Sequence, residues 1–308
     1  MALKITNTNY SGEVLNSILT KAATGNELVE RGLIRMEPGI STKFSIPRLK
    51  IGKTLQKRKE TPGASDAKGD ATYSERALEP KDFMAFTTFN PRSFEAIWRP
   101  FQPTGNLNFA QLPAEVQNKL LEEINKTVDY ELGYHLINGK YKETGDDNLF
   151  NGFVYRISND SEKVVVETAE TTMVGKLKAV RKSIPKWMRN NPRLRILMSV
   201  EDADAYDEEL SGQDFKGTDW TDTNVSRFKG IPIEALAEWP NGFIVATLCG
   251  MDLGTNLWAG CNLVDDPDAI LIDRLTNTSE VYFIKILMKV DTCTAFGEEL
   301  VVLDKRSV

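Results

Sequence analysis

The sequence predicts an α+β fold, and three of its features do so. Its last third reads as short apolar strands parted by turn signals, from Phe228-Lys229-Gly230-Ile231-Pro232-Ile233 through Trp239-Pro240-Asn241-Gly242-Phe243-Ile244-Val245-Ala246 and Thr255–Gly260 to Glu280–Asp291. A helix of unusual length is written over residues 113–138. Between residues 31 and 92, extended apolar pieces flank a stretch poor in apolar side chains, the pattern of a long hairpin.

Taken in order, residues 11–23 predict a short helix that Ser11 can cap, with Val14, Leu15, Ile18 and Leu19 on one face. Such a helix is marginal alone and must dock on its own domain or on a neighbouring chain. Leu33–Met36 and Phe44–Pro47 read as extended pieces around the turn signal Glu37-Pro38-Gly39. Residues 57–80 carry few apolar side chains together with Pro62, Gly63 and Gly69, so they predict a mobile tip. Phe83–Phe89 then supplies the returning strand, although an ordinary surface loop would read the same way.

In the long helix Pro113 suits the first turn and Asn138-Gly139 the stop, while Val116, Leu120, Ile124, Val128, Leu132 and Leu136 recur every four residues. At ~100° per residue that row winds around the helix, which at ~1.5 Å per residue would span roughly 39 Å. Residues 153–167 predict a strand pair, Phe153–Tyr155 and Lys163–Val166, about Asn159-Asp160. Thr168 or Thr171 would cap a helix bearing Met173, Leu177, Val180 and Ile184, which Pro185 ends. Leu194–Met198 reads as a strand. Ser199 with Asp202 resembles a capping box opening a helix through Leu210, stopped by Ser211-Gly212. Strand, capped helix, loop and strand make an α/β layer. In the last strand the even positions from Tyr282 to Val290 are all apolar while the odd ones pass to Lys285 and Lys289, predicting a central strand that reaches an edge.

The chain has 308 residues, 41% hydrophobic and 27% charged, enough for one large core or two smaller ones. A net charge of -6 argues against a protein whose main task is wrapping nucleic acid. Cys249, Cys261 and Cys293 suggest neither a disulfide framework nor a zinc site, and point to synthesis in a reducing cytosol. No signal-peptide core and no membrane-spanning run is present in the sequence.

Catalytic signatures are missing as well. His135 is the one histidine and lies within the long helix, without a signalled nucleophile or orienting carboxylate. Phosphate-binding, dinucleotide, nucleophile-elbow and zinc-protease motifs do not occur. Asp146-Asp147-Asn148 and the Asp219, Asp222 pair offer oxygen ligands but no complete calcium loop, so they read as solvated turns. Trp187, Trp220, Trp239 and Trp258 form no stacking array and read as core or interface residues. The expectation is a non-enzyme with no cofactor and no metal.

The order of turns and strands, above all Gly230-Ile231-Pro232-Ile233 and Trp239-Pro240 followed by Phe243-Ile244-Val245, resembles the major capsid proteins of tailed bacteriophages of the Hong Kong type. A Bacteroides-type phage or prophage relative is implied. The resemblance implies an N-terminal arm over 1–30, an extended hairpin loop over 31–92, and a peripheral domain with a spine helix over 93–164. An axial domain over 165–254 and returning strands over 255–308 complete the map. It implies self-assembly of hexamers and pentamers into an icosahedral shell enclosing double-stranded DNA, made in the bacterial cytoplasm and ending in the virion capsid. A portal and a separate scaffolding protein are implied partners, DNA being in non-specific proximity and a membrane uninvolved. The long helical scaffolding segment that begins many relatives has no room here, and no cross-linking lysine or asparagine can be assigned. An encapsulin-type nanocompartment shell is the alternative reading, and an enzyme with an unrecognised site is a further one.

The charge pattern adds one expectation. Lys43, Arg48, Lys50, Lys53, Lys57, Arg58 and Lys59 occur between residues 41 and 59 without an acidic residue, whereas 201–222 carries nine acidic residues against Lys216. Lys50, Lys53, Lys57, Arg58 and Lys59 are the candidate inter-subunit contacts, a basic arm meeting an acidic face of a neighbour.

Overall fold

A computed structural model describes residues 8–9, 27–40, 42–105, 107, 114–145, 147–211, 227–262, 270–276 and 280–306. In chain order the elements are β1 (Thr8–Asn9), α1 (Glu27–Glu30), β2 (Arg35–Glu37), β3 (Phe44–Ile51), β4 (Ala71–Leu78), β5 (Lys81–Phe89) and α2 (Glu95–Trp98). There follow α3 (Ala114–Asn138), α4 (Phe153–Ser158), β6 (Val164–Val165), α5 (Met173–Ser183), β7 (Leu194–Ser199) and α6 (Val200–Ser211). The last strands are β8 (Arg227–Phe228), β9 (Ile231–Leu236), β10 (Phe243–Leu248), β11 (Leu257–Cys261), β12 (Ile270–Arg274), β13 (Tyr282–Thr294) and β14 (Val301–Asp304).

Two six-stranded sheets and one two-stranded hairpin carry the fold. The first sheet runs β1-β12-β13-β11-β2, with β5 on the other edge of β13. The second runs β6-β14-β10-β7-β9-β8. Both faces of the second sheet are buried, and the period of two sorts its side chains. Ile196, Met198, Ile244, Ala246, Val301 and Leu303 meet α5 and α6. Leu197, Val245 and Val302 point the other way, into a core shared with α3, α4 and the first sheet. At ~1.5–3 kcal/mol for each large apolar side chain removed from water, these two clusters supply most of what offsets chain entropy.

Local chemistry explains the turns. Lys229 and Gly230 both have positive φ, 47° and 86°, which makes the two-residue hairpin between β8 and β9. Trp239-Pro240-Asn241-Gly242 closes with the Trp239 indole N–H donating to the Phe243 carbonyl at 2.6 Å. Helix α3 stops at Gly139, whose N–H still bonds the His135 carbonyl at 2.9 Å while its own carbonyl accepts from Gly152 at 2.8 Å. A Cβ on either glycine would overlap the His135 carbonyl oxygen, so the chain crosses the helix end only because both lack one.

Several expectations need correction. Phe153–Tyr155 is not a strand but the start of α4, because Phe153, Val154 and Ile157 are buried together at helical spacing after Gly152. Thr172, instead of Thr168 or Thr171, caps α5, its hydroxyl accepting from the Gly175 N–H at 3.2 Å. The hairpin partner of β3 is not 83–89: β3 pairs with β4 from Phe44↔Leu78 to Ile51↔Ala71. Residues 71–78 therefore leave the predicted tip and join a strand, and β5 pairs with β13 instead.

Other expectations agree with the structure. Strand β13 is internal from Tyr282 to Val290, with β5 on one edge and β12 then β11 on the other, and from Asp291 to Thr294 it pairs with β11 alone among the described residues. Ser199 does open α6, its hydroxyl accepting from Asp202 N–H at 3.1 Å. Asp202 turns away from the box to accept from Gly242 N–H at 2.8 Å. In α3 the buried Val128, Leu132 and Leu136 drift by about 40° at each step and Ile137 widens the buried arc to roughly 180°, so the apolar row moves around the helix as expected. The helix predicted over 11–23 and Pro113 lie outside the described residues, as do Asp146, Asp219, Asp222 and Trp220.

Candidate assembly surfaces

The β3–β4 hairpin has two unlike faces. Residues paired directly across an antiparallel ladder point to one side, so Ile46, Arg48 and Lys50 share a face with Arg76, Ser74 and Thr72. That face meets the body. Ile46 and Leu78 pack with Ile40, Trp258, Cys293 and Ala295 in a small core at the hairpin base. The other face carries Leu49 opposite Tyr73 and Ile51 opposite Ala71. Leu49, Ile51 and Tyr73 are 64%, 57% and 67% exposed, and Leu55 beyond them is 95% exposed. So large an apolar strip on two strands without a third is the mark of a surface awaiting a partner.

A polar anchor fixes the hairpin base. The Arg76 guanidinium grips both Asp160 carboxylate oxygens, one at 3.0 Å, and also donates to the Thr294 hydroxyl at 2.7 Å and carbonyl at 3.0 Å. Glu162 accepts from Arg76 at 3.1 Å and from Arg48 at 2.9 Å. Burial alone would raise the Asp160 pKa, but Arg76, the Glu162 backbone N–H and Thr294 outweigh it and hold it below the ordinary range. Glu162 is lowered chiefly by its hydrogen bond from Arg48. A second tie lies where β4 passes into β5. Asp291 accepts from the Glu79 N–H at 2.9 Å and from Arg156 at 2.8 and 3.0 Å, yet its burial still raises its pKa.

The structure divides the candidate basic contacts. Lys50 pairs with Glu298 and Lys59 with Asp66, both within the chain. Lys53, Lys57 and Arg58 are exposed and have no ion pair among the described residues. The anchor residues Arg76 and Asp160 were not marked by the sequence reading. A buried Asp in an Asn-Asp turn gives no signal of an arginine 84 positions away.

Two further surfaces stand out. Met84 and Phe86 of β5 and Leu287 of β13 are exposed on the outer side of the first sheet, where Phe86 stacks on Phe283 at 5.7 Å between centroids. Over the second sheet, α6 presents Glu201, Asp204, Asp207 and Glu208 to solvent. Glu209 is spent otherwise, accepting from the Met173 and Val174 N–H groups at the start of α5.

No arrangement among the described residues resembles a catalytic one. His135 is half-buried beside Tyr134 and Phe150, its Nδ1 has no partner, and burial lowers its pKa. Cys249 and Cys293 are buried thiols pushed up to about 12 and about 11 by desolvation, far from the thiolate a nucleophile needs. Among the described residues no cluster of His, Cys, Asp or Glu could hold a metal ion, and no helix is long and apolar enough to cross a membrane. Trp239 and Trp258 are core residues, whereas Trp187 is 61% exposed.

No family model matches the sequence, and no curated protein does. Solved structures do match. A chain of the satellite phage P4 procapsid, solved with its size determination (Sid) protein, is 14% identical with a TM-score of 0.65, covering 99% of this chain and 94% of its own. The capsid of the native GTA particle is 12% identical with a TM-score of 0.56, covering 100% and 96%. The holo-SrpI encapsulin of Synechococcus elongatus is 12% identical with a TM-score of 0.51, covering 98% and 91%. Over nearly its whole length, the chain therefore has the α+β fold of phage capsid structures.

Proposed function

We propose that this chain is the major capsid protein of a tailed phage or prophage, a structural protein and not an enzyme, that assembles into an icosahedral shell around double-stranded DNA. The observation that carries the reading is the match to the P4 procapsid chain, which runs from end to end, over 99% of this chain and 94% of that one. The hairpin supports it, because an exposed apolar strip on an anchored two-stranded arm has little use in a monomer. In this reading residues 31–92 make the extended loop, with β3 and β4 as its hairpin, residues 93–164 the peripheral domain with α3 as the spine helix, residues 165–254 the axial domain with α5 and α6, and residues 255–308 the returning strands. Residues 1–30 are the arm. Hexamers and pentamers are the building units, with a separate scaffold and a portal as partners. Synthesis takes place in the host cytoplasm and the mature location is the virion.

The match to the SrpI encapsulin favours a second reading, a nanocompartment shell, with a lower TM-score of 0.51 against 0.65. Negative-stain microscopy and sedimentation of the expressed chain test the shell, alone and with the genes that flank it. Closed shells are expected, and monomer at every salt and protein concentration in both settings rejects the proposal. Contents decide between the readings: packaged DNA marks a virus, and a co-purifying enzyme marks a compartment.

A further inference from the structure

Helices α5 and α6 lie side by side on one face of the second sheet, and their charges are completely segregated. From Lys176 to Arg195 the chain has eight basic residues and no acidic one, while α6 has six acidic residues and no basic one. Lys178, Lys182 and Lys186 are exposed on and just after α5, and Glu201, Asp204, Asp207 and Glu208 are exposed on α6. Within the chain these groups do not neutralise each other. Among the described residues none of them lies in an ion pair, although the two helices pack together. Sheet order then gives the segregation a direction. Helix α5 covers β14 and β10, α6 covers β7 and β9, and the strands run β6-β14-β10-β7-β9-β8. The cationic helix thus sits toward one edge of the layer and the anionic helix toward the opposite edge.

With its two signs toward opposite edges, the layer meets like charge when equal edges are brought together about a two-fold axis normal to it, and opposite charge when one copy follows the next edge to edge. Heterologous contacts that repeat by rotation close into rings. We infer that the exposed carboxylates of α6 in one copy face the lysines of α5 in the next, so that charge sets the head-to-tail order around a capsomer. This deepens the shell reading and rests on it. Each exposed pair is worth little, so the effect falls on which faces meet and how fast they do.

Charge swapping tests the pairing in the full-length chain. The variants K178E/K182E/K186E and D204K/D207K/E208K each bring most of the exposed charges of the two helices to one sign. Each is expected to raise the concentration needed for assembly by about tenfold or more at low salt. Mixing the two variants restores opposite faces at every contact of an alternating ring and should restore hexamers, whereas five-fold rings cannot alternate. The chain carrying all six reversals should assemble alone. If any variant fails to melt cooperatively, the neutral pair K178Q/K182Q and D204N/D207N takes its place, with weakened assembly expected from each. Single reversals that assemble like the unsubstituted chain, or a six-fold reversal that folds without assembling, overturn the inference while the shell reading stands. If the α5 reversal spares assembly but abolishes retention of DNA in the particles, the lysines face nucleic acid instead. Failure of the unsubstituted chain to assemble, both alone and with the genes that flank it, removes the shell reading itself.

Discussion

The hairpin and the second sheet are both β-structure, yet they are held in different ways. Strand β10 is buried along its whole length, with Val245 and Ile244 entering cores on opposite faces. The hairpin buries only its base, and beyond Ile46 nearly every residue is exposed until Arg76. Burial at the sheet is non-directional and extensive, whereas the hairpin is oriented by one buried carboxylate and the two arginines around it. Stability and assembly therefore reside in different residues, and substitutions should separate them.

The largest effect is expected in the sheet. Phe243 is fully buried with its ring tilted against that of Trp239, 5.8 Å between centroids, so Phe243→Ala should cost about 3–5 kcal/mol and leave little folded chain. Calorimetry or denaturant titration measures it. A loss below 1 kcal/mol would mean that the sheet is not where the stability lies.

Next comes the anchor. Arg76→Ala strands the Asp160 carboxylate, whose side chain is only 2% exposed, without its cation. The expected cost is about 3 kcal/mol, the low end for breaking a buried pair. The opening should be local, so limited proteolysis would cut between Ile51 and Ala71 faster while the sheet keeps its amide protection. Arg76→Ala with Asp160→Asn should recover part of the loss. Uniform loss of protection across both regions would show that the hairpin and the sheet unfold as one unit.

The two regions should also respond oppositely to pH. Asp160 and Glu162 have folded pKa values below the ~4 of an unfolded carboxyl, so their stabilisation is complete above pH ~4 and is lost as pH falls through the folded values. Glu299, at the end of the body next to β14, is raised to about 7 by burial and by the neighbouring Glu298. Between pH ~4.3 and about 7 the folded chain holds a proton that the unfolded chain has released, so the Glu299 contribution falls as pH rises and levels off above 7. Melting followed from pH 5 to 8 should show this slope, and Glu299→Gln should flatten it. A slope unchanged by the substitution would assign it elsewhere.

The sheet was far more legible in the sequence than the hairpin, and the reason is physical. Alternation at Tyr282, Ile284, Ile286, Met288 and Val290 reports a buried face directly, and Lys229-Gly230 and Trp239–Gly242 are turns whose chemistry is local. Strand β4, ATYSERAL, has almost no buried side chain, so its pairing is set by β3 and the anchor and not by hydrophobic pattern. Phe153–Ser158 failed for the converse reason. Its apolar run suits strand or helix equally, and only the burial of Ile157 beside Phe153 selects the helix. Of the candidate contacts, the basic cluster was visible, but its division into paired Lys50 and Lys59 and unpaired Lys53, Lys57 and Arg58 depends on distant Glu298 and on the turn that brings Asp66 back.

The smallest effect on stability, and the sharpest test of the separation, concerns those unpaired cations. Lys53, Lys57 and Arg58 lie on the fully exposed stretch beyond β3, touching no carboxylate among the described residues. Reversing all three to Glu removes no contact within the chain, and exposed charges contribute only ~0–1 kcal/mol each. The melting temperature should therefore move by no more than about 2 °C. Association should respond much more, because like charges brought together at a contact are screened over only ~8–10 Å at ordinary salt. Light scattering at low and high salt is the measurement. Slow or absent assembly at low salt that recovers as salt is raised identifies the tip as the part that meets an acidic neighbour. Assembly indistinguishable from that of the unsubstituted chain across the salt series would leave the tip as a solubilising surface, and the apolar Leu49, Ile51 and Tyr73 face would then carry the contact by itself.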